Sequence, residues 1–127
     1  MPEKTRFMDI YKHLSECGIE VYYPAQKKGE CTAPYTVIKD AGTAQIAGLS
    51  STQTIYDVMC YVPKEQFTFL EQYVHQVKEA MRKLQPMIMP TFIETASFYD
   101  DTVKGHMISM QYRNNRKIYL GGFNYGN

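Results

Sequence analysis

From Gln53 to Val62 the chain alternates, with Tyr56, Val58, Cys60 and Val62 on one side and Ile55, Asp57, Met59 and Tyr61 on the other. One side is apolar and the other half so, the pattern of a central strand with something packed beyond it. Pro63 closes this strand, and the period then changes. Phe67, Leu70, Tyr73, Val74, Val77, Ala80, Met81 and Leu84 recur at three-and-four spacing, which predicts a helix over 64–85. Glu65 and Glu71 lie early and Arg82 and Lys83 late, as the helix dipole favours. At about 1.5 Å per residue such a helix is roughly 30 Å long, enough to cross a small sheet.

The flanking segments extend this plan. Phe7, Ile10, Tyr11 and Leu14 form one helical stripe over about 5–17, and Gly18 follows where a helix end calls for a left-handed residue. Ile19–Tyr23 alternates and stops at Pro24; 25–33 is a polar loop; Pro34–Asp40 reads as a second strand. Between it and the central strand lies 41–52, long for a hairpin loop, with Ile46 and Leu49 among small and polar residues. Pro86 and Pro90 bracket a rigid linker, after which Phe92–Tyr99 and Gly105–Arg113 form a hairpin. The last residues, from about 116 to 127, hold Tyr119, Phe123 and Tyr125 among glycines, too sticky for a polar linker and too glycine-rich for a firm element. The expected fold is a single α+β domain over 1–127. Four or five antiparallel strands pack on two helices in the order α-β-β-β-α-β-β, followed by a docking tail.

At 127 residues the chain can bury a core without metal or disulfide support. A net charge of +1 argues against a module that works by bulk phosphate neutralisation. No apolar run is long enough to span a membrane, and the first residues lack the apolar core of a signal peptide. Cys17, Cys31 and Cys60 are odd in number and lack CxxC spacing, so a disulfide framework and a zinc ribbon are both disfavoured. The expectation is a reduced, soluble, intracellular domain. Eleven tyrosines and eight methionines suit cores and strand faces, and equally surfaces buried against partners.

Chemistry-bearing residues do not converge in the sequence. His13, His75 and His106 are not at metal-binding spacing with one another, and no phosphate-loop, dinucleotide or nucleophile-elbow motif occurs. Asp100 and Asp101 read as turn formers. Cys17 ends a helix and Cys60 points with the apolar strand face, so neither is an activated nucleophile. No catalytic residue, cofactor or metal is expected; a pocket joining Asp57, His106 and a cysteine would change that reading. A binding role remains. Ile46 and Leu49 in the long loop are candidate partner-binding residues, and Tyr119, Phe123 and Tyr125 are candidates for docking on another chain.

Several features together resemble the tail terminator, or tail-completion, proteins of long-tailed bacteriophages and of contractile R-type bacteriocins. They are the helix ending at Cys17-Gly18, the strand Ile19–Tyr23, the 41–52 excursion, the long helix after Pro63 and the hairpin of Phe92-Ile93-Glu94-Thr95 with Gly105–Arg113. The resemblance implies a six-membered ring on the head-proximal end of the tail tube. That ring ends tube polymerisation, meets the sheath where there is one, and joins the neck. Its partners would be its own copies, the tail tube protein, and sheath or neck proteins, with no membrane and no sequence-specific nucleic acid. It would reside at the tail–neck junction of the particle and in the host cytoplasm during assembly. Two alternatives stay open: another neck or head-completion connector, and a small ligand-binding α+β regulatory module.

Overall fold

The computed structural model describes residues 6–45, 51–117, 119–120 and 123–124. Helix α1 spans Arg6–Glu16, followed by β1 (Val21–Tyr22), β2 (Tyr35–Gln45) and β3 (Ser51–Pro63). A 3-10 helix over Lys64–Phe69 leads into α2 (Leu70–Arg82). Then come β4 (Met89–Glu94), β5 (Phe98–Asp100), β6 (Gly105–Lys117), β7 (Tyr119–Leu120) and β8 (Phe123–Asn124). The architecture is α+β, as the patterning requires. The main sheet runs β1-β2-β3-β6-β4, with β5 also paired to β6.

Strand β3 is central because both of its faces bury surface. Tyr56, Val58, Cys60 and Val62 meet Ile10 and Leu14 of α1 and Leu70, Val74, Val77 and Met81 of α2 in the main core. Each such aliphatic side chain contributes about 1.5–3 kcal/mol on burial. Tyr61 faces the other way and joins Cys31, Tyr35 and Met107 in a smaller cluster. The loop after β1 closes over that cluster, where Cys31 N–H donates to Val103 O at 2.7 Å. Gly18 takes φ +83 past the end of α1, and Ile19 N–H returns to Leu14 O at 3.1 Å.

Several boundaries differ from the sequence expectation. The first strand shortens to Val21–Tyr22 and runs parallel to β2, because the 23–34 connection carries the chain back before β2 begins; every other ladder in the sheet is antiparallel. The long helix is two pieces. Gln66 leaves helical geometry, nothing in the 3-10 part is buried, and Phe67, expected on the apolar stripe, is 51% exposed. The 86–90 linker is not a free spacer: Ile88 is fully buried, and Met89 and Pro90 already pair with β6. The Phe92–Tyr99 strand is broken, with Thr95–Ser97 between β4 and β5.

The largest correction concerns 41–52. Most of it is not loop, since β2 continues through Gln45 and β3 starts at Ser51, paired from Gly42↔Ile55 to Gln45↔Thr52. Strand β6 likewise runs four residues past Arg113, pairing with β3 from Pro63↔Gly105 to Ser51↔Lys117.

Candidate assembly surfaces

Ile38, Tyr56 and Tyr112 are the outermost residues of the helix-packed core on β2, β3 and β6. Beyond them the three strands continue together as a polar ribbon, holding Gly42, Thr43, Ala44 and Gln45 on β2 and Ser51, Thr52, Gln53 and Thr54 on β3. On β6 the same stretch reads Arg113, Asn114, Asn115, Arg116 and Lys117. Five residue pairs, Ser51↔Lys117 to Ile55↔Arg113, extend it by roughly 15 Å at the usual strand rise. Its root is ordered by side chains. Thr43 and Thr54 share a hydroxyl hydrogen bond at 2.7 Å, and Thr54 stands opposite Asn114 in the ladder. Thr54 and Asn114 are buried, and Asn114 Nδ2 has no hydrogen-bond partner among the described residues.

Of the candidate binding residues, Ile46 and Leu49 lie outside the described residues, and so does Tyr125. Tyr119 and Phe123 belong to a small two-stranded sheet where the sequence predicts an irregular tail, with Tyr119↔Asn124 and Leu120↔Phe123 in register.

The β4–β5 edge is where sequence reasoning missed most. Opposite Gln111, β4 bulges between Pro90 and Glu94; Thr91 Oγ1 donates to Gln111 O at 3.3 Å and accepts from Ile93 N–H at 3.3 Å. The bulge holds Phe92 at φ +65 with the residue 86% exposed, beside exposed Ile93. Further along the same edge Phe98 and Tyr99 are exposed. His106 lies between the rings of Phe67 and Tyr99, at centroid distances of 4.7 and 5.2 Å. A cavity of roughly 170 Å³ lies between α2 and β4, bordered by Arg82, Phe92, Ile93 and Tyr112. A second, of roughly 570 Å³, lies between Phe67, Leu70, Ala96 and Ile108. The Lys78–Glu94 ion pair, at 2.7 Å, links α2 to β4. At the other end of the sheet, Tyr23 just after β1 and Met8 on α1 are also exposed, and α1 packs on the β1–β2 side.

The remaining polar and titratable side chains make local contacts. His13 lies in α1, and its Nε2 is 2.7 Å from Ala80 O at the end of α2; a carbonyl has no proton, so the imidazole donates and ties the helices together. Asp100 accepts from the backbone and hydroxyl of Thr102, as a turn residue does. Register places Asp57 opposite Gln111 on the face of Tyr61, and His106 opposite Val62 on the helix face. Asp57, His106 and a cysteine are therefore not brought together. Cys60 is fully buried, and burial pushes its thiol up to about 12; burial also raises Cys31, on the other face of the sheet. Both thiols stay protonated and unreactive at neutral pH. Among the described residues no group of three or more His, Cys, Asp or Glu side chains is placed to hold a metal, and no helix is long and apolar enough to cross a membrane.

A scan of protein-family models finds no match to the chain, and a search of curated protein sequences finds none either.

Proposed function

We propose that this chain is a ring-forming structural subunit that caps the head-proximal end of a phage or phage-like tail tube, ends its polymerisation and joins the tail to the neck. The observation behind this reading is the three-stranded ribbon of β2, β3 and β6, which extends past the helix-packed core as far as Gln45, Ser51 and Lys117. A tube grows by repeating a heterologous interface, so a capping ring has to offer one face to the tube and a different face above. A paired ribbon on a small domain suits such axial reach, because its inner strand is hydrogen-bonded on both sides and its sequence is mostly polar. The exposed apolar residues of the β4–β5 edge suit a contact with another subunit. Six copies, the tube protein, and sheath or neck proteins are the proposed partners, and the proposed role is assembly without catalysis.

Localisation tests the reading. A tag on this subunit, imaged by electron microscopy in assembled particles, is expected at the junction of tube and neck. A label elsewhere in the particle, or none, overturns the proposal; a label wholly above the tube end favours the connector alternative. Replacing Ile46 and Leu49 by serine is expected to leave a folded protein and to produce tubes of uncontrolled length.

A further inference from the structure

We infer that the outer ribbon of β2, β3 and β6 is a binding surface for the phosphodiester backbone of a nucleic acid, independent of base sequence. The net charge of +1 conceals a division along the chain. No Asp or Glu occurs in 41–56 or in 102–127, and these stretches supply all three strands of the ribbon. Arg113, Arg116 and Lys117 fall among its five β6 positions, opposite Ile55, Thr52 and Ser51. Fourteen basic residues meet thirteen acidic ones in the whole chain; without these three the balance is eleven to thirteen. The excess of positive charge therefore belongs to one end of the sheet. The inference goes beyond the tail reading, which gives the ribbon reach but no ligand, and stands or falls separately from it.

Composition selects the partner. Protein interfaces are more than half apolar and lean on aromatic anchors. Residues 42–45, 51–55 and 113–117 hold one large apolar residue, Ile55, among Thr, Ser, Gln, Asn and the three cations. Interfaces with nucleic acids are instead polar and strongly positive, and at least half of their hydrogen bonds go to phosphate and sugar oxygens. Guanidinium, ammonium, amide and hydroxyl groups, which make up this ribbon, are the donors that those oxygens accept.

The backbone adds donors of its own. Strand β4 pairs with β6 only as far as Met89↔Arg113, so no described strand covers the outer side of β6 over 114–117. Strand β1 stops at Tyr22↔Val37, so none covers the outer side of β2 over 42–45. Gly42 has open space where a side chain would stand, and its φ of +119 suits glycine, so a sugar–phosphate strand can approach the main chain there. The ribbon's roughly 15 Å matches about four phosphates along one strand of a duplex, close to its number of cations.

Fluorescence anisotropy of the full chain tests the site, with a labelled oligothymidylate strand and a labelled mixed-sequence duplex as probes. Three phosphate contacts predict a log–log salt slope of roughly −2 to −3, hence about 20- to 40-fold weaker binding at 200 mM salt than at 50 mM. Binding of either probe with this slope supports the site, and the tighter of the two names the form it takes. Arg116→Gln with Lys117→Gln should cut the slope by about two-thirds. Lys27 stands over the Tyr35 ring, opposite Tyr61 and far along the sheet from the ribbon. Lys27→Gln with Lys28→Gln should therefore leave the slope unchanged. No binding of either probe at low salt overturns the inference. So does a slope that the Arg116 and Lys117 changes do not move, or that the Lys27 and Lys28 changes lower as much. Polyglutamate that displaces the probe as well as unlabelled oligonucleotide does would show a patch for any polyanion, and also overturns it. Should the glutamine variant misfold, amine labelling of the wild type decides: the probe is expected to shield Lys117 and leave Lys28 reactive, and the reverse, or no shielding, refutes the site.

Discussion

Thr36 on β2 and Tyr73 on α2 bring their hydroxyl groups to 2.9 Å between the sheet and the helix layer, where both side chains are buried. This is a polar link inside an otherwise apolar core, and either oxygen can be the donor. Tyr73→Phe leaves the Thr36 hydroxyl with only the sulfur of Cys60, 3.9 Å away. The expected cost is about 1–3 kcal/mol in urea unfolding, as is usual for a stranded buried hydroxyl. Adding Thr36→Val should restore most of that loss, because both partners are then apolar. A double variant as unstable as the sum of the singles would contradict the pairing.

Alkaline stability follows from the buried acids. Burial pushes Cys60 from its ordinary 9.0 up to about 12 and Tyr112 from 10.0 up to about 12, and it also raises Tyr35 and Tyr73. Above pH 9 the unfolded chain therefore releases protons that the native state retains. With more protons bound in the native state, unfolding free energy falls as pH rises. The contribution is complete below about pH 9 and is lost progressively toward pH 12. Tyr112→Phe should flatten the decline between about pH 10 and 12 in denaturant titrations; an unchanged slope would count against burial as its cause.

Gly105 opens β6 where two segments cross closely. A Cβ there would lie 2.9 Å from Val62 O and 3.0 Å from Cys31 Cβ, with no long flexible side chain to yield. Gly105→Ala is expected to cost about 1–3 kcal/mol, as overpacking does. Adding Cys31→Gly should recover only part of this, since the Val62 carbonyl remains. Thermal melts of the single and double variants check both statements.

At Phe92 the expected sign is reversed. Asn accepts the left-handed region more readily than Phe, and the exposed ring contributes little to the fold. Phe92→Asn should therefore raise stability by about 0.5–1 kcal/mol, read as a higher melting temperature. A variant that melts well below wild type would mean the ring supports the monomer.

The strand and helix assignments were legible wherever apolar residues repeat. Tyr56, Val58, Cys60 and Val62 announced the central strand, and Ile10 and Leu14 the buried stripe of α1. The outer ribbon was not legible, because Thr43, Ala44, Gln45, Ser51 and Thr52 have no apolar alternation; their strands form by backbone pairing carried outward from the core register. The β-branched threonines at 43, 52 and 54 were the available signal. Phe67 misled because the helical stripe assumes 3.6 residues per turn, and the 3-10 segment turns faster. Phe92 was hidden for a different reason. A bulge leaves no mark on periodicity, and neither φ +65 nor exposure follows from residue type. Of the candidate site, sequence singled out the 41–52 region and the final hairpin residues, and it passed over the β4–β5 edge.

The β3–β6 ladder joins 51–63 to 105–117, so the middle of the sheet is made from stretches about fifty residues apart. During synthesis the emerging polypeptide cannot complete its centre until β6 has left the ribosome, and by then all of α1 to β5 is already exposed. Nothing shorter offers an intermediate stopping point with a closed sheet. The molecule should mature late and all at once, and nascent chains released before residue 105 should be substrates for chaperones and proteases.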